Sequence, residues 1–167
     1  KSAEAQAQPY PRAFIIGIGS LIPRKGPDLF LKVAKAAIEA GDPHDFIWLG
    51  DGEIQATLEA QTAALGLSDR VVWVGQVDNP YPYIKAATAL AMTSREDPHP
   101  RTMIESAALG TPVVAFSGSG GADQFIPENS AGALVPMADT SAMSAALIAE
   151  TLQRPDARII QDKYDVE

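Results

Sequence analysis

Two carboxylates frame one turn of this sequence. In the segment SREDPHPRTMIESAALGTPVVAF, Ser94 to Phe116, Asp97 lies in an acidic, proline-rich loop and Glu105 falls one turn into the helix that follows. At that spacing both can face a ligand lying over the helix amino end, although either carboxylate would also serve simply to cap the helix or favour its dipole. Pro98 and Pro100 carry no amide hydrogen, so the backbone donors there come from His99, Arg101, Thr102 and Met103. First-turn amides lack intrahelical partners and, with the helix dipole, form a ready phosphate site, to which Arg101 adds a positive charge. A second block, GIGSLIPRKG from Gly17 to Gly26, follows a glycine turn with Arg24 and Lys25, cations that could meet a phosphate group.

Short apolar, β-branched runs alternate with longer segments of helical period, the pattern of a parallel sheet covered by helices on both faces. Strands are expected at Ala13–Gly19, Asp45–Gly50, Arg70–Gly75, Thr88–Thr93, Pro112–Phe116 and Gly132–Val135. Helices are expected at Pro27–Ala40, Glu53–Leu65, Asn79–Ala86, Arg101–Leu109, Ala122–Ile126 and Thr140–Gln153, with apolar positions recurring at three and four. The fold class read from this is α/β: a Rossmann-like, doubly wound, mostly parallel sheet of about six strands. Gly19, Gly50 and Gly75 end three of the strands at the carboxyl edge, where such sheets bind ligands, and Gly52 follows closely. Singly, each glycine is explained by turn chemistry; jointly they favour a ligand edge.

The 167 residues suit one domain, and 46% apolar with 20% charged content is that of a globular protein without a membrane-length apolar run. A net charge of −8 and the absence of a basic stripe argue against a nucleic-acid partner. No cysteine is present, which removes disulfides and thiol catalysis and makes cytoplasm the expected location. Residues 1–12, KSAEAQAQPYPR, read as a linker from a preceding domain, 13–154 as the folded domain, and 155–167 as a truncated carboxyl-terminal tail able to form one short helix after Pro155.

The blocks FIIGIGSLIPRKG, FIWLGDGE, RVVWVGQV, the Ser94 to Phe116 segment, and SGSGGADQFI with AGALVP resemble, in that order, family 4 glycosyltransferases. The segment around Asp97 and Glu105 is similar to that family's E-x7-E region, and the likeness runs from about Phe14 to Thr151. The resemblance implies the donor-binding, carboxyl-terminal half of a two-domain GT-B enzyme that transfers a hexose with retention from a nucleoside-diphosphate sugar such as a UDP-sugar. It implies further that Glu105 binds the ribose hydroxyls, that Asp97 or its neighbour Glu96 contacts the sugar, and that Lys25 neutralises the diphosphate. Gly50, Gly52, Gly75, Gln76 and Val77 would surround the base and phosphates, with Gly19, Ser20, Arg24, His99, Pro100, Arg101, Thr102 and Met103 completing the donor site. Ser20 stands where many relatives place a phosphate-binding arginine.

The same resemblance leaves the acceptor to a missing amino-terminal domain, through which any membrane contact would be made. It implies no cofactor, and the sequence carries no Asp-x-Asp triplet for a metal diphosphate, no GxxxxGK[ST] loop and no HExxH. A noncatalytic nucleotide-binding or regulatory module on the same fold is the main alternative, motivated by Ser20; an NAD-binding Rossmann protein is a weaker one, since the GxG at Gly17 and Gly19 lacks the third glycine.

Overall fold

A computed structural model describes residues 9–166; most of the expected linker, residues 1–8, and Glu167 lie outside the described residues. Six strands, β1 (Phe14–Ile18), β2 (Asp45–Leu49), β3 (Val71–Gly75), β4 (Ala89–Met92), β5 (Val113–Phe116) and β6 (Gly132–Val135), form one sheet in the order β3-β2-β1-β4-β5-β6. Neighbouring strands all pair in parallel, as the sequence pattern predicts. Helices α1 (Pro27–Glu39), α2 (Gln55–Ala64), α3 (Tyr81–Ala86), α4 (Arg101–Ala108), α5 (Ala122–Asn129), α6 (Thr140–Leu147) and α7 (Ala157–Tyr164) pack on both faces, and a 3-10 turn at Pro23–Lys25 leads into α1.

Alternation along each strand divides the core in two. Ile15, Phe46, Trp48, Val114 and Phe116 point to one face and pack with Phe30 and Val33 of α1, Leu58 of α2, and Met143 and Leu147 of α6. Phe14, Ile16, Ile47, Leu49, Leu90, Val113 and Ala115 point to the other and pack with Ile84 of α3, Met103 of α4, Phe125 of α5 and Ile160 of α7. Because both faces are covered, β2, β4 and β5 are buried at every position, so these strands read as short apolar runs rather than polar-apolar alternations. Phe30 is the centre of the first face, edge-on to Phe46 and Trp48 at centroid distances of 5.9 and 5.2 Å.

Two element ends differ from expectation. Helix α5 runs through Pro127 to Asn129, beyond the expected stop at Ile126, because proline costs a hydrogen bond but its fixed φ fits the last turn; Ser130 then ends the helix in the left-handed region at φ 47. Helix α6 stops at Leu147, not Gln153, since residues 148–156 carry the chain from the α1 face to the α4 face. Residues 157–164 form α7, the short helix expected after Pro155, and it docks on the α4 face: Ile160 is buried, Gln161 Nε2 donates to the Ala108 carbonyl at 2.7 Å, and Tyr164 packs on Phe125.

At the amino edge of the sheet, fully buried Asp45 gathers three donors: Tyr10 Oη, Arg12 Nε and Arg70 Nε, each at 2.8 Å. Residues 10–12, expected as linker, are thereby tied to the start of β2. Partial burial, and then the Asp45 carboxylate to which it donates, raise the Tyr10 phenol above its ordinary value near 10.0. A raised folded-state value means a contribution that is complete below that ordinary value and lost as pH climbs through the folded one. Urea titrations should therefore show Tyr10→Phe less stable than wild type at pH 8, with the gap closing above the ordinary phenol range. Asp45→Asn should cost about 2–4 kcal/mol at neutral pH, because it strands two guanidinium groups beside a buried position.

Candidate functional site

The strand order reverses between β1 and β4, so the connections leaving their carboxyl ends run in opposite directions and leave a crevice between them. From β1 comes the loop of Gly19, Ser20, Arg24 and Lys25; from β4 comes the loop that carries Arg95, Glu96, Asp97 and His99 into α4. Across the crevice Lys25 Nζ meets Asp97 Oδ2 at 2.5 Å, with side-chain exposures of 23% and 9%. These two residues are 72 positions apart, and both were singled out from the sequence for ligand chemistry.

The walls of the crevice are stitched by backbone. Gly19 N donates to Leu49 O at 3.0 Å, Leu21 N to Asp51 O at 2.8 Å, and Gly50 N to Gly75 O at 2.8 Å, while Trp48 Nε1 holds the Gly19 carbonyl at 2.9 Å. Gly50 has φ +131, and a Cβ there would sit 2.0 Å from the Gly19 oxygen, so this crossing admits only glycine. On the other wall, Asp97 N donates to Ser119 O at 2.7 Å and Gly121 N donates to Asp97 O at 3.1 Å, so the SGSGG loop clamps the Asp97 backbone from both sides. Gly120, at φ +133, would bring a Cβ to 2.4 Å from the Asp97 oxygen.

Arg95, absent from the expected site, straps the two walls together. Its Nη1 and Nη2 grip Asp28 of α1 at 2.8 and 2.6 Å, and Nη1 also reaches the Pro23 carbonyl at 2.7 Å. The Arg95 hydrogen bonds are the main cause that holds the Asp28 carboxyl below its ordinary value. Arg24 is held by backbone, with Nη1 on the Glu96 carbonyl at 3.2 Å and its own carbonyl accepting from Arg95 N at 2.9 Å. No sequence spacing signals the Asp28–Arg95 strap, whose partners stand 67 positions apart.

Beside the crevice, a hollow of about 240 Å³ is lined by Ile18, Gly19, Ser20, Leu49, Gly50, Asp51, Gln76, Val77 and Pro80. Five expected ligand residues, Gly19, Ser20, Gly50, Gln76 and Val77, thus share one cavity. Gly75 pairs with Gly50 at its back, and Gly52 lies against Leu21, where a Cβ would meet the Leu21 oxygen at 2.7 Å. Glu105 stands on α4 with its side chain 13% exposed; its Oε1 accepts from Arg101 Nε at 2.9 Å and from Tyr81 Oη at 3.4 Å. The Arg101 guanidinium is therefore engaged by Glu105, four residues on. Tyr81, which follows Pro80 at the start of α3, is a further residue that sequence reading passes over; the signal the sequence offers is an aromatic set between Pro80 and Pro82.

The remaining expected residues fall elsewhere. Met103 is 1% exposed and packs in the core, and its amide already donates to Pro100 O at 3.1 Å. The amides of His99, Arg101 and Thr102 have no protein acceptor among the described residues, which leaves them as the open donors at the α4 amino end. The side chains of His99, Pro100 and Arg101 border a separate groove of about 390 Å³ between α4, α5 and α7, with Phe125 and Tyr164. Among the described residues, no group of three or more His, Cys, Asp or Glu side chains converges as a metal ligand set, and no helix is long and apolar enough to cross a membrane.

A parallel sheet in this order, with its crevice at the β1/β4 reversal, defines a Rossmann-like, doubly wound α/β protein of the kind found in GT-B glycosyltransferases. The family described as Glycosyl transferases group 1 matches residues 1–164, and the chain belongs to it. Among curated relatives, the lipopolysaccharide core biosynthesis glycosyltransferase LpsE of Rhizobium meliloti is 30% identical over 134 residues, 80% of this chain and 38% of that protein. Little more than a third of the length of such relatives is spanned by the chain. Among solved structures, a variant of S. aureus TarM in complex with fondaparinux, alpha-GlcNAc-glycerol and UDP superposes with a TM-score of 0.76 at 24% identity, covering 83% of this chain and 29% of that one. Anabaena Alr3699/HepE in complex with UDP and glucose superposes at 0.69 with 22% identity, covering 91% and 44%.

The glycine crossing can be tested directly. Gly50→Ala should lower stability by about 2–4 kcal/mol, from backbone strain together with the clash on Gly19, and urea denaturation measures it.

Proposed function

We propose that this chain is the donor-binding, carboxyl-terminal half of a retaining glycosyltransferase that moves a hexose from a nucleoside-diphosphate sugar to an acceptor hydroxyl. The observation that carries this reading is the meeting of Lys25 and Asp97 across the β1/β4 crevice, beside a hollow walled by glycine-rich turns. In this reading the hollow takes the nucleoside, whose base is met chiefly by backbone groups of the Gly50 and Gln76 turns. Glu105 accepts from the ribose hydroxyls, because an ionised carboxylate has only acceptors to offer and two oxygens to offer them with.

The diphosphate then lies toward Lys25 and the open amides of His99, Arg101 and Thr102. These fixed positive groups stabilise the charge that grows on the leaving phosphate as the glycosidic bond breaks, and their stabilisation is larger in the transition state than in the ground state. Asp97 accepts from hydroxyls of the transferred sugar, with Glu96 beside it. The leaving phosphate takes the acceptor's proton on the same face, so no separate side-chain base is required, and no metal is needed to balance the diphosphate. The acceptor is held by a second domain, which closes the crevice. The UDP bound in the TarM and HepE structures supports a nucleoside-diphosphate donor, and UDP is accordingly the first nucleotide to try.

Titration of the 15N-labelled chain with UDP, GDP, ADP and NAD tests the reading. One diphosphate should give saturable shifts at Lys25, Gly75 and Arg101 to Glu105; a preference for NAD, or no shift with any nucleotide, would overturn it. Glu105→Ala should weaken binding of that diphosphate about tenfold, the scale of one charge-assisted hydrogen bond, with the fold retained.

A further inference from the structure

In the donor reading both Lys25 and Asp97 serve the ligand, yet here each is taken by the other. Neither backbone is free to move apart. Asp97 is held through Ser119 O and Gly121 N at 2.7 and 3.1 Å, and the residues on either side of Lys25 are bonded to the end of β4, Arg24 O accepting from Arg95 N at 2.9 Å and Gly26 O from Thr93 Oγ1 at 2.8 Å. The lysine stem lies along Gly19, near enough that a Cβ on that glycine would touch Cγ and Cδ at 3.4 Å. Only side-chain torsions remain to part the pair, so exchange of partners is a local event.

A diphosphate that approaches Lys25 also approaches the Asp97 carboxylate. Like charges brought together in a partly dehydrated crevice repel, and the ion pair must open as well. A bare nucleoside diphosphate offers Asp97 nothing in return, since phosphates carry acceptors. A nucleotide sugar offers hydroxyl donors, which replace the lysine ammonium as partners of the carboxylate.

Resting on the donor reading, we propose that Asp97 sets the preference of this site for a nucleoside-diphosphate sugar over the bare nucleoside diphosphate. It competes with the diphosphate for Lys25 and yields only where sugar hydroxyls take over as its donors. Once the sugar has left, Asp97 loses those donors, recaptures Lys25 and weakens the hold on the product.

The test is calorimetric titration of wild type, Asp97→Asn and Lys25→Ala with inorganic pyrophosphate, with UDP, and with UDP-glucose, GDP-mannose and ADP-glucose. A thermal melt of each variant confirms folding, and Asp97→Ser replaces the asparagine if that variant fails. Asp97→Asn should bind pyrophosphate and UDP about fivefold tighter, the scale of one ion pair, and should bind the preferred nucleotide sugar no better than wild type. Pyrophosphate binding that is unchanged or weakened in Asp97→Asn, while Lys25→Ala still loses it, overturns the competition and leaves the donor reading standing. Binding of every probe unaffected in Lys25→Ala overturns the donor reading itself.

Discussion

The structure depends on one topological constraint: parallel strands joined by right-handed crossovers must reverse direction somewhere if helices are to cover both faces. Here the reversal falls between β1 and β4, whose carboxyl-end loops leave in opposite directions. The Lys25–Asp97 and Asp28–Arg95 pairs both gather at that reversal. The β1 loop contributes cations, the β4 loop contributes carboxylates and an open helix amino end, and the two strands that carry these loops are paired neighbours. Opposite charges meeting there, with Arg95 and Asp28 strapped across the rim, hold together two loops that topology would otherwise let diverge.

Much of this frame is legible in the residues, for physical reasons. Strands buried on both faces leave dense apolar runs such as FIIGI and DFIWL, and their ends are marked by glycines that a turn or a close crossing demands. The helix carrying Glu105 announces itself through the prolines before it and the three-four recurrence of Met103, Ser106 and Ala107 on its buried side. What escaped is long-range. The apolar period of α6 continues past Leu147 in the sequence, but the need to cross from one face of the sheet to the other ends the helix there. The docking of residues 157–164 on α4 depends on a groove formed by other elements, which no local pattern encodes.

At the site, residue types were legible and partnerships were not. Lys25, Asp97, Glu105 and Arg101 stand out by chemistry, and the i,i+4 spacing of Arg101 and Glu105 on one helix allows their pair, yet nothing in the spacing says that Lys25 pairs with Asp97. Asp28, Arg95 and Tyr81 look like ordinary surface residues until the fold brings them to the rim. Met103 is the converse case: its position in the first turn of α4 marks it for the ligand, but its side chain belongs to the core and its amide to Pro100.

The β1–β4 seam also sets a schedule. Ile15 pairs with Ala89, so the centre of the sheet is closed by residues far apart in the chain, and β2 and β3 on one side can assemble before β5 and β6 on the other exist. At a synthesis rate of about 5–20 residues per second, the 72 positions between Lys25 and Asp97 correspond to roughly 4–14 seconds on the ribosome. During that interval the inner edge of β1 is an unpaired, apolar strand, the kind of edge that other chains can extend. A topology that brings Lys25 to Asp97 at the middle of the sheet therefore also leaves there, during synthesis, an edge open to mispairing.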